Sequence, residues 1–351
     1  MREISPQRVY DQKTMWDVLP PHDAAMFHPL LLKPAAKNYL WGGSRLNDDF
    51  GKEIPLSPLA ETWECSTHPD GQSVVAETGE PLGGVLARHP EFLGTHPLRL
   101  MGGKAELPIL IKLIDAKQNL SIQVHPDDDY ALQHENSLGK TELWYVLAAT
   151  QDAKLIYGFR RSMDREQAER AIREKRIESE LNHIPVHKNE VFFVEAGTVH
   201  AIGAGVLLAE IQENSNVTYR LYDYDRTDRR GKKRALHIDR ALDVAKLTVS
   251  SAPRQPMRVM KYRNGCAEEL LGRCRYFQVE RMLLNTEIQR DLAAFQTDSN
   301  SFHALLCTEG CGVLFGEQIM IPFFKGDCMF IPAESIPLKL HGKAQLLNVS
   351  C

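Results

Sequence analysis

From Pro29 onward the apolar positions of this chain come in short runs cut by Gly, Pro, Asn and Asp. Pro108 to Asp115 (PILIKLID), Leu143 to Ala148 (LWYVLA), Glu190 to Val194 (EVFFV) and Val206 to Gln212 (VLLAEIQ) have strand length and turn residues at their ends. A helical period is found mainly in Asp164 to Leu181, where Ala168, Ala171, Ile172, Ile177 and Leu181 recur among charges, and a second helix is predicted over Ile238 to Leu247. Many short strands with few helices predict a mainly β fold, a barrel or sandwich carrying helical insertions.

The pattern repeats once. Lys188 to His200 (KNEVFFVEAGTVH) aligns with Lys325 to Pro337 (KGDCMFIPAESIP), each reading as a turn, an apolar strand, an Ala-centred turn and a second strand. The segment resembles the second signature of a cupin barrel used twice, which predicts two cupin-like (jelly-roll) β-barrels. The first copy ends in His200, a possible metal ligand. The second ends in Pro337, which can ligate nothing, so one barrel is expected to work and the other to be structural. The expected organisation is a polar extension over residues 1–28, a catalytic unit over 29–250 with a helical insertion near 162–181, and a non-catalytic β unit over 251–351.

Length and composition narrow the functional classes. A chain of 351 residues buries a sizeable core, and a net charge of -4 gives no global attraction for nucleic acid or anionic membrane. The basic run Arg226 to Arg234 (RTDRRGKKR) has no stacking aromatics and reads as a solvated loop. Residues 1–6 open no secretory signal, and no stretch of about 18 apolar residues predicts a membrane span. Seven scattered cysteines without a CxxC pair fit reduced thiols in a cytoplasmic protein. A small-molecule substrate is expected, with no nucleic-acid or membrane partner and a monomer or homodimer as the assembly.

Chemistry concentrates in Leu120-Ser121-Ile122-Gln123-Val124-His125-Pro126. On a strand, Ser121, Gln123 and His125 leave one face while Val124 packs the other way. Downstream, Glu142 opens the LWYVL run and His200 follows the turn Glu195-Ala196-Gly197-Thr198. Two imidazoles, a carboxylate and an amide oxygen make a nitrogen–oxygen ligand set suited to Zn²⁺. One carboxylate leaves such a site cationic, a Lewis acid rather than a neutralised scaffold. Read alone, a QxH pair more often marks a hydrogen-bonded histidine at a strand end; with Glu142 and His200 added, the two readings stand level.

The text around these residues resembles type I mannose-6-phosphate isomerases. Gln118 to Asp127 (QNLSIQVHPD) is similar to the family's signature strand, Gly139 to Glu142 (GKTE) to its second ligand segment, and Glu195 to Ile202 (EAGTVHAI) to its third. Glu210 to Gln212 (EIQ) followed by Asn216 to Arg226 (NVTYRLYDYDR) is similar to the segment with its active-site arginine. Trp41-Gly42-Gly43 and Ala60 to Ser66 (AETWECS) agree. The resemblance implies an aldose–ketose isomerase that interconverts mannose 6-phosphate and fructose 6-phosphate by proton transfer through an enediol, with one Zn²⁺ on Gln123, His125, Glu142 and His200. Ile202 and Asn216 depart from the longer eukaryotic-like form, and the large helical insertion of that form is missing, which fits the short bacterial branch.

The resemblance further implies a phosphosugar contact for Lys112 and Ser121, with Arg226 a further candidate. Arg220 suits charge stabilisation, since its protonation is fixed. Asn216, Thr218 and Arg220 share a strand face, although an Arg220 paired on the surface with Asp223 or Asp225 is the alternative. Lys112, inside an apolar strand, must either snorkel at a sheet edge or meet an anion. Glu210 is the candidate base, with Lys140 and a metal-bound water as rivals. Two further readings stay open. One is an Fe(II) cupin oxygenase, and the other is a sugar-phosphate-binding regulator without turnover.

Overall fold

The computed structural model describes residues 27–351 except 228–229, 252, 254 and 288–290. The expected 1–28 extension thus lies outside the described residues except for its last two. Phe27 packs against Phe92 with ring centroids 5.3 Å apart, and His28 is buried. Part of the basic run, residues 228–229, also lies outside.

The chain is mainly β. In order come β1 (Leu30–Lys33), β2 (Ala35–Lys37), β3 (Glu61–Cys65), β4 (Val74–Val75), β5 (Ile109–Asp115), β6 (Ile122–Val124) and β7 (Glu142–Ala149). Next are β8 (Lys154–Phe159), β9 (Leu181–Pro185), β10 (Val191–Val194), β11 (His200–Ile202), β12 (Val206–Glu213) and β13 (Tyr219–Tyr222). The last third supplies β14 (Lys261–Arg263), β15 (Cys266–Arg273), β16 (Gln278–Asn285), β17 (Ala293–Phe295), β18 (His303–Gly316), β19 (Ile319–Phe324), β20 (Cys328–Ile331) and β21 (Leu338–Ser350). The α-helices are short: α1 (Arg45–Asp48), α2 (Leu82–Arg88), α3 (Thr95–Leu100), α4 (Asp128–Glu135), α5 (Arg165–Arg173) and α6 (Ile238–Val244).

Two sheets form the first cupin-like layer pair. One has the order β10-β7-β12-β5-β3-β2 and the other β13-β6-β11-β8-β9. Side-chain alternation sorts their residues. On β7, Glu142, Trp144 and Val146 turn towards the space between the sheets, while Leu143, Tyr145 and Leu147 join a second core on the outer side. Trp144, Val146 and Leu208 of one sheet meet Leu155 and Ile202 of the other in the inner core. Helices α5 and α6 cover the outer face of the five-stranded sheet, packing Ala168, Ile172 and Leu242 on Ile122 and Val124.

The third sheet has ten strands and runs β14-β15-β16-β21-β18-β20-β1-β4, with β17 on β21 and β19 on β18. Its inner cluster holds Met282, Leu305, Met329 and Leu346, while Phe277, Val279, Phe330 and Leu347 on the other face pack against the first unit. Strands β1 and β4 flank β2 and β3 of the first unit in sequence yet pair into this C-terminal sheet, Leu31 opposite Met329. The expected sequence boundary near 250 is therefore not a boundary of hydrogen bonding.

The four strands expected from the hydrophobic runs correspond to β5, β7, β10 and β12. The predicted helix 164–181 is shorter. Asp164 caps α5 through a reciprocal capping box with Gln167, but Lys175 takes a left-handed φ of 58° and ends it. Ile177 starts a 3₁₀ turn and Leu181 begins β9, so their burial comes from a different element than helical spacing implied. The second helix stops at Val244 rather than Leu247. The internal repeat has the expected local form: Lys188–His200 spans β10 to the first residue of β11, and Lys325–Pro337 spans β20 to the residue before β21.

Candidate metal centre and active site

Alternation on three adjacent strands builds the centre. β6 lies between β13 and β11, with Gln123 opposite Arg220 on one side and His200 on the other. Gln123, His200 and Arg220 thus form one row across the sheet. His125 continues the same face just past β6. From the facing sheet Glu142, the first residue of β7, completes the set. Its Oε1 is 3.3 Å from His200 Nε2 and its Oε2 3.7 Å from His125 Nε2. Among the described residues this trio is the only group of three or more His, Cys, Asp or Glu whose ligand atoms lie within 4.8 Å of one another.

The donor set fits a metal ion. His125 Nδ1 lies 2.9 Å from the Val217 carbonyl and His200 Nδ1 2.8 Å from the Thr198 carbonyl. A carbonyl can only accept, so each Nδ1 carries the proton and each Nε2 turns a lone pair into the site. Burial holds His200 down to about 4, and burial with Lys140 and His200 nearby holds His125 well below its ordinary value, so both rings are neutral. His125 Nε2 and Glu142 Oε1 are buried without a hydrogen-bond partner. Orphaned acceptors in a dry pocket call for a cation. Burial, then repulsion from Glu210, pushes the Glu142 carboxyl up to about 8, the mark of a carboxylate short of positive charge. The Ser121 hydroxyl is 3.3 Å from Gln123 Oε1, and the amide's Nε2 is 3.4 Å from His200 Nε2, so Gln123 would give an oxygen to an ion only with its amide turned over.

Beside the trio lies a buried charge network. Lys140 Nζ is 3.1 Å from Glu142 Oε2 and 3.6 Å from Glu210 Oε1, and Lys112 Nζ is 3.1 Å from Glu210 Oε1. Glu210 Oε2 accepts from Trp144 Nε1 at 3.0 Å. Burial alone would raise Glu210, but Lys140 and Lys112 outweigh it and bring it down to about 2. Burial would lower Lys140, yet Glu142 and Glu210 overcome it and raise the ammonium. The structure thus holds an ionised Glu210 between Lys140 and Lys112. Lys112 sits in β5, an interior strand, and faces Glu210 in register, so its anion is a carboxylate and no sheet edge is involved.

Arg220 is half-buried and makes no ion pair among the described residues, and its Nε has no hydrogen-bond partner. The alternative surface pairing fails because Asp223 is taken by Arg226 and Arg234, and Asp225 by Lys175 and Lys233. Arg226 also donates to the Asn119 carbonyl, so its guanidinium is committed to the loop. Sequence reasoning gave no role to Glu61. Its Oε2 accepts from Trp63 Nε1 at 2.8 Å and stands 4.0 Å from Lys112 Nζ, which itself lies 5.1 Å over the Trp63 ring. Glu61 and Trp63 alternate inward in ETWEC, the same signal that exposed Gln123 and His125.

Comparison with known proteins agrees with this geometry. Residues 30–152 match the family model "Phosphomannose isomerase type I, catalytic domain", and residues 268–351 match "Mannose-6-phosphate isomerase, cupin domain". The chain is 36% identical over 323 residues to mannose-6-phosphate isomerase ManA of Bacillus subtilis, covering 91% of this chain and 98% of the relative. It is 42% identical over 222 residues to mannose-6-phosphate isomerase of Streptococcus mutans, 62% of this chain and 68% of that one. A crystal structure of the mannose 6-phosphate isomerase from B. subtilis superposes with a TM-score of 0.81 at 33% identity over 92% of this chain and 99% of the other. The apo form of the Salmonella typhimurium enzyme shares the fold alone, with a TM-score of 0.71 at 19% identity over 92% and 98% of the two chains. With His125, Glu142 and His200 in one buried cluster and near full-length similarity to these relatives, the chain belongs to the type I mannose-6-phosphate isomerase family.

Proposed function

We propose that this protein interconverts mannose 6-phosphate and fructose 6-phosphate, with Zn²⁺ held by Gln123, His125, Glu142 and His200, in the reducing cytoplasm. The observation that carries the reading is the buried His125–Glu142–His200 cluster with its orphaned acceptors, standing against the Lys140–Glu210–Lys112 network. The seven free cysteines suit that compartment, and no helix of the described residues is long and apolar enough to cross a membrane. The catalytic unit is the two-sheet layer pair, and the C-terminal sheet, with Pro337 where His200 would fall, supports it.

When bound, the ion supplies Lewis acidity that polarises the sugar's carbonyl and stabilises charge on its oxygen. The residues of the chain do the rest. Glu210, ionised and acceptor-only, takes the proton from the hydroxyl-bearing carbon next to the carbonyl and returns it to the carbonyl carbon, while that hydroxyl's proton passes to the former carbonyl oxygen. Lys140, held protonated, faces the developing enediolate and balances its charge. Arg220, the half-buried guanidinium with an uncommitted edge, meets the substrate's anionic end. Lys112 and Glu61 keep Glu210 oriented. Ser121 orients Gln123.

The test is a coupled assay on mannose 6-phosphate with metal-stripped and zinc-restored protein. Turnover that follows metal supports the reading, and full turnover after verified stripping refutes it.

A further inference from the structure

Residues 139–141 carry Lys140 to the mouth of the site and lead into Glu142, and they are held from outside the site. Asp128, the first residue of α4, accepts the Gly139 amide through Oδ1 at 2.9 Å. Glu213, the last residue of β12, accepts the Thr141 amide through Oε1 at 2.7 Å. The fit is close, since a Cβ on Gly139 would stand 2.5 Å from the Asp127 carbonyl carbon. On its second oxygen Asp128 accepts the Tyr276 hydroxyl at 2.5 Å. Tyr276 belongs to the hairpin between β15 and β16, so this contact ties the C-terminal sheet to the catalytic segment.

The two carboxyl groups also feel each other's charge, and Glu213 Oε2 is buried with no hydrogen-bond partner. A buried carboxylate beside a second charged one is costly. Burial, then the Asp128 charge, pushes Glu213 up to about 8, whereas the Tyr276 and Gly139 hydrogen bonds outweigh burial and keep Asp128 below its ordinary value. The extra proton therefore sits on Glu213, and Asp128 stays charged on two donors, Tyr276 O–H and Gly139 N–H.

We propose that Tyr276 is a positioning residue for catalysis, which through the Asp128–Glu213 carboxyl pair fixes residues 139–141 and so sets where Lys140 stands relative to Glu142 and Glu210. This rests on the isomerase reading of the site only for its catalytic consequence. The clamp itself is a statement about the segment. Tyr276 touches neither the metal ligands nor Lys140, and its effect is transmitted through two backbone amides. The C-terminal sheet thereby acquires a task in turnover beyond covering apolar surface.

Two readouts on the zinc-loaded full chain test it. Hydrogen exchange of the peptide spanning 138–142 should quicken in Tyr276→Phe, while peptides elsewhere in β5 and β12 keep their protection. Turnover of mannose 6-phosphate should fall roughly tenfold with KM and bound metal unchanged, as expected for a displaced catalytic group. In an Asp128→Ala background, Tyr276→Phe should add nothing further. Glu213→Gln, which can still accept from Thr141 and puts no charge beside Asp128, should keep most of the turnover that Glu213→Ala loses. Unchanged exchange at 138–142 in Tyr276→Phe overturns the clamp whatever the activity. Quickened exchange with wild-type turnover, or an equal loss in both backgrounds, overturns its catalytic role. If the wild-type chain itself fails to isomerise the sugar, the site reading falls and the exchange result still decides the clamp.

Discussion

His200 and Gln123 are register partners across the β11–β6 ladder, so backbone pairing sets where the ring and the amide stand, and the Thr198 carbonyl and the Ser121 hydroxyl hold each in place. Removing His200 should therefore remove a ligand without disturbing the sheet. His200→Ala is expected to lose more than ~100-fold in kcat, beyond the loss typical of an outer contact, and to fall well below one metal per chain. Elemental analysis alongside the coupled assay checks this. A variant with full metal and full turnover would falsify the ligand assignment.

Metal should also stabilise the fold, because the ligand atoms converge only in the folded chain. Zinc at a hundredfold excess over Kd adds about 2.7 kcal/mol by mass action. Thermal unfolding with and without a chelator reads the difference. His125→Ala should lack the zinc-dependent increment. An equal increment in that variant means that the ion stabilises from some other place.

Glu210 and Lys140 carry opposite charges 3.6 Å apart, and each keeps the other ionised. Glu210→Gln should lower kcat by about 10²- to 10⁴-fold, the usual contribution of a positioned acid or base. Exchange of solvent deuterium into recovered substrate should fall in step. If Glu210→Gln keeps normal exchange while Lys140→Met abolishes it, the proton acceptor has been assigned to the wrong residue.

The Lys52–Glu64 pair is separate from the charge network of Glu210, Lys112 and Lys140. Lys52 Nζ meets Glu64 Oε2 at 2.6 Å, both side chains are nearly dry, and the same ammonium donates to the Gly326 carbonyl. Burial raises the Glu64 carboxyl, and Lys52 opposes it. Lys52→Met leaves a buried acid alone and should cost about 3–5 kcal/mol. Lys52→Met combined with Glu64→Gln should recover much of that. Urea titrations of the three proteins give the comparison, and equal midpoints would show that the pair is inert.

Glu213 has a raised folded value, about 8, caused first by burial and then by the Asp128 charge. In the unfolded chain it titrates near its ordinary value of about 4.3. The folded state therefore holds the extra proton between these limits. Stability from Glu213 is complete below the lower limit and is lost progressively as pH rises towards 8. Glu213→Gln cannot titrate, so its denaturation midpoint should gain on the wild type between pH 5 and 9. Parallel midpoints across that range would place the proton elsewhere.

Much of the site was legible because the chemistry follows strand alternation. Ser121, Gln123 and His125 share a face by parity, and parity needs no knowledge of the sheet. Their partners across the sheets needed more. Lys112 could be read as an edge lysine until β5 proved interior, and Arg220 as a surface residue until Asp223 proved occupied by Arg226 and Arg234. Glu61 escaped notice because its importance lies in a neighbour 51 positions on, Lys112. Helix α4 was missed for a local reason. It buries only Ala131 and so lacks an apolar stripe, although Asp127 as N-cap and Asp128 and Asp129 in the first turn marked its start. The helix expected to reach Leu181 ended early because spacing does not register the left-handed turn at Lys175.

The pairing of β1 with β20 sets a timetable for synthesis. Leu31 leaves the ribosome about 300 residues before its partner Met329, and at roughly 5–20 residues per second that is an interval of about 15–60 s. During that time β1 and β4 offer open hydrogen-bonding edges to whatever strand arrives, a neighbouring nascent chain included. The catalytic sheets are complete in sequence by Tyr222, so the metal centre can assemble while the first strands of the chain still wait for the last. A gene cut near residue 250 would strand them permanently, and the two halves should then become soluble only when made together.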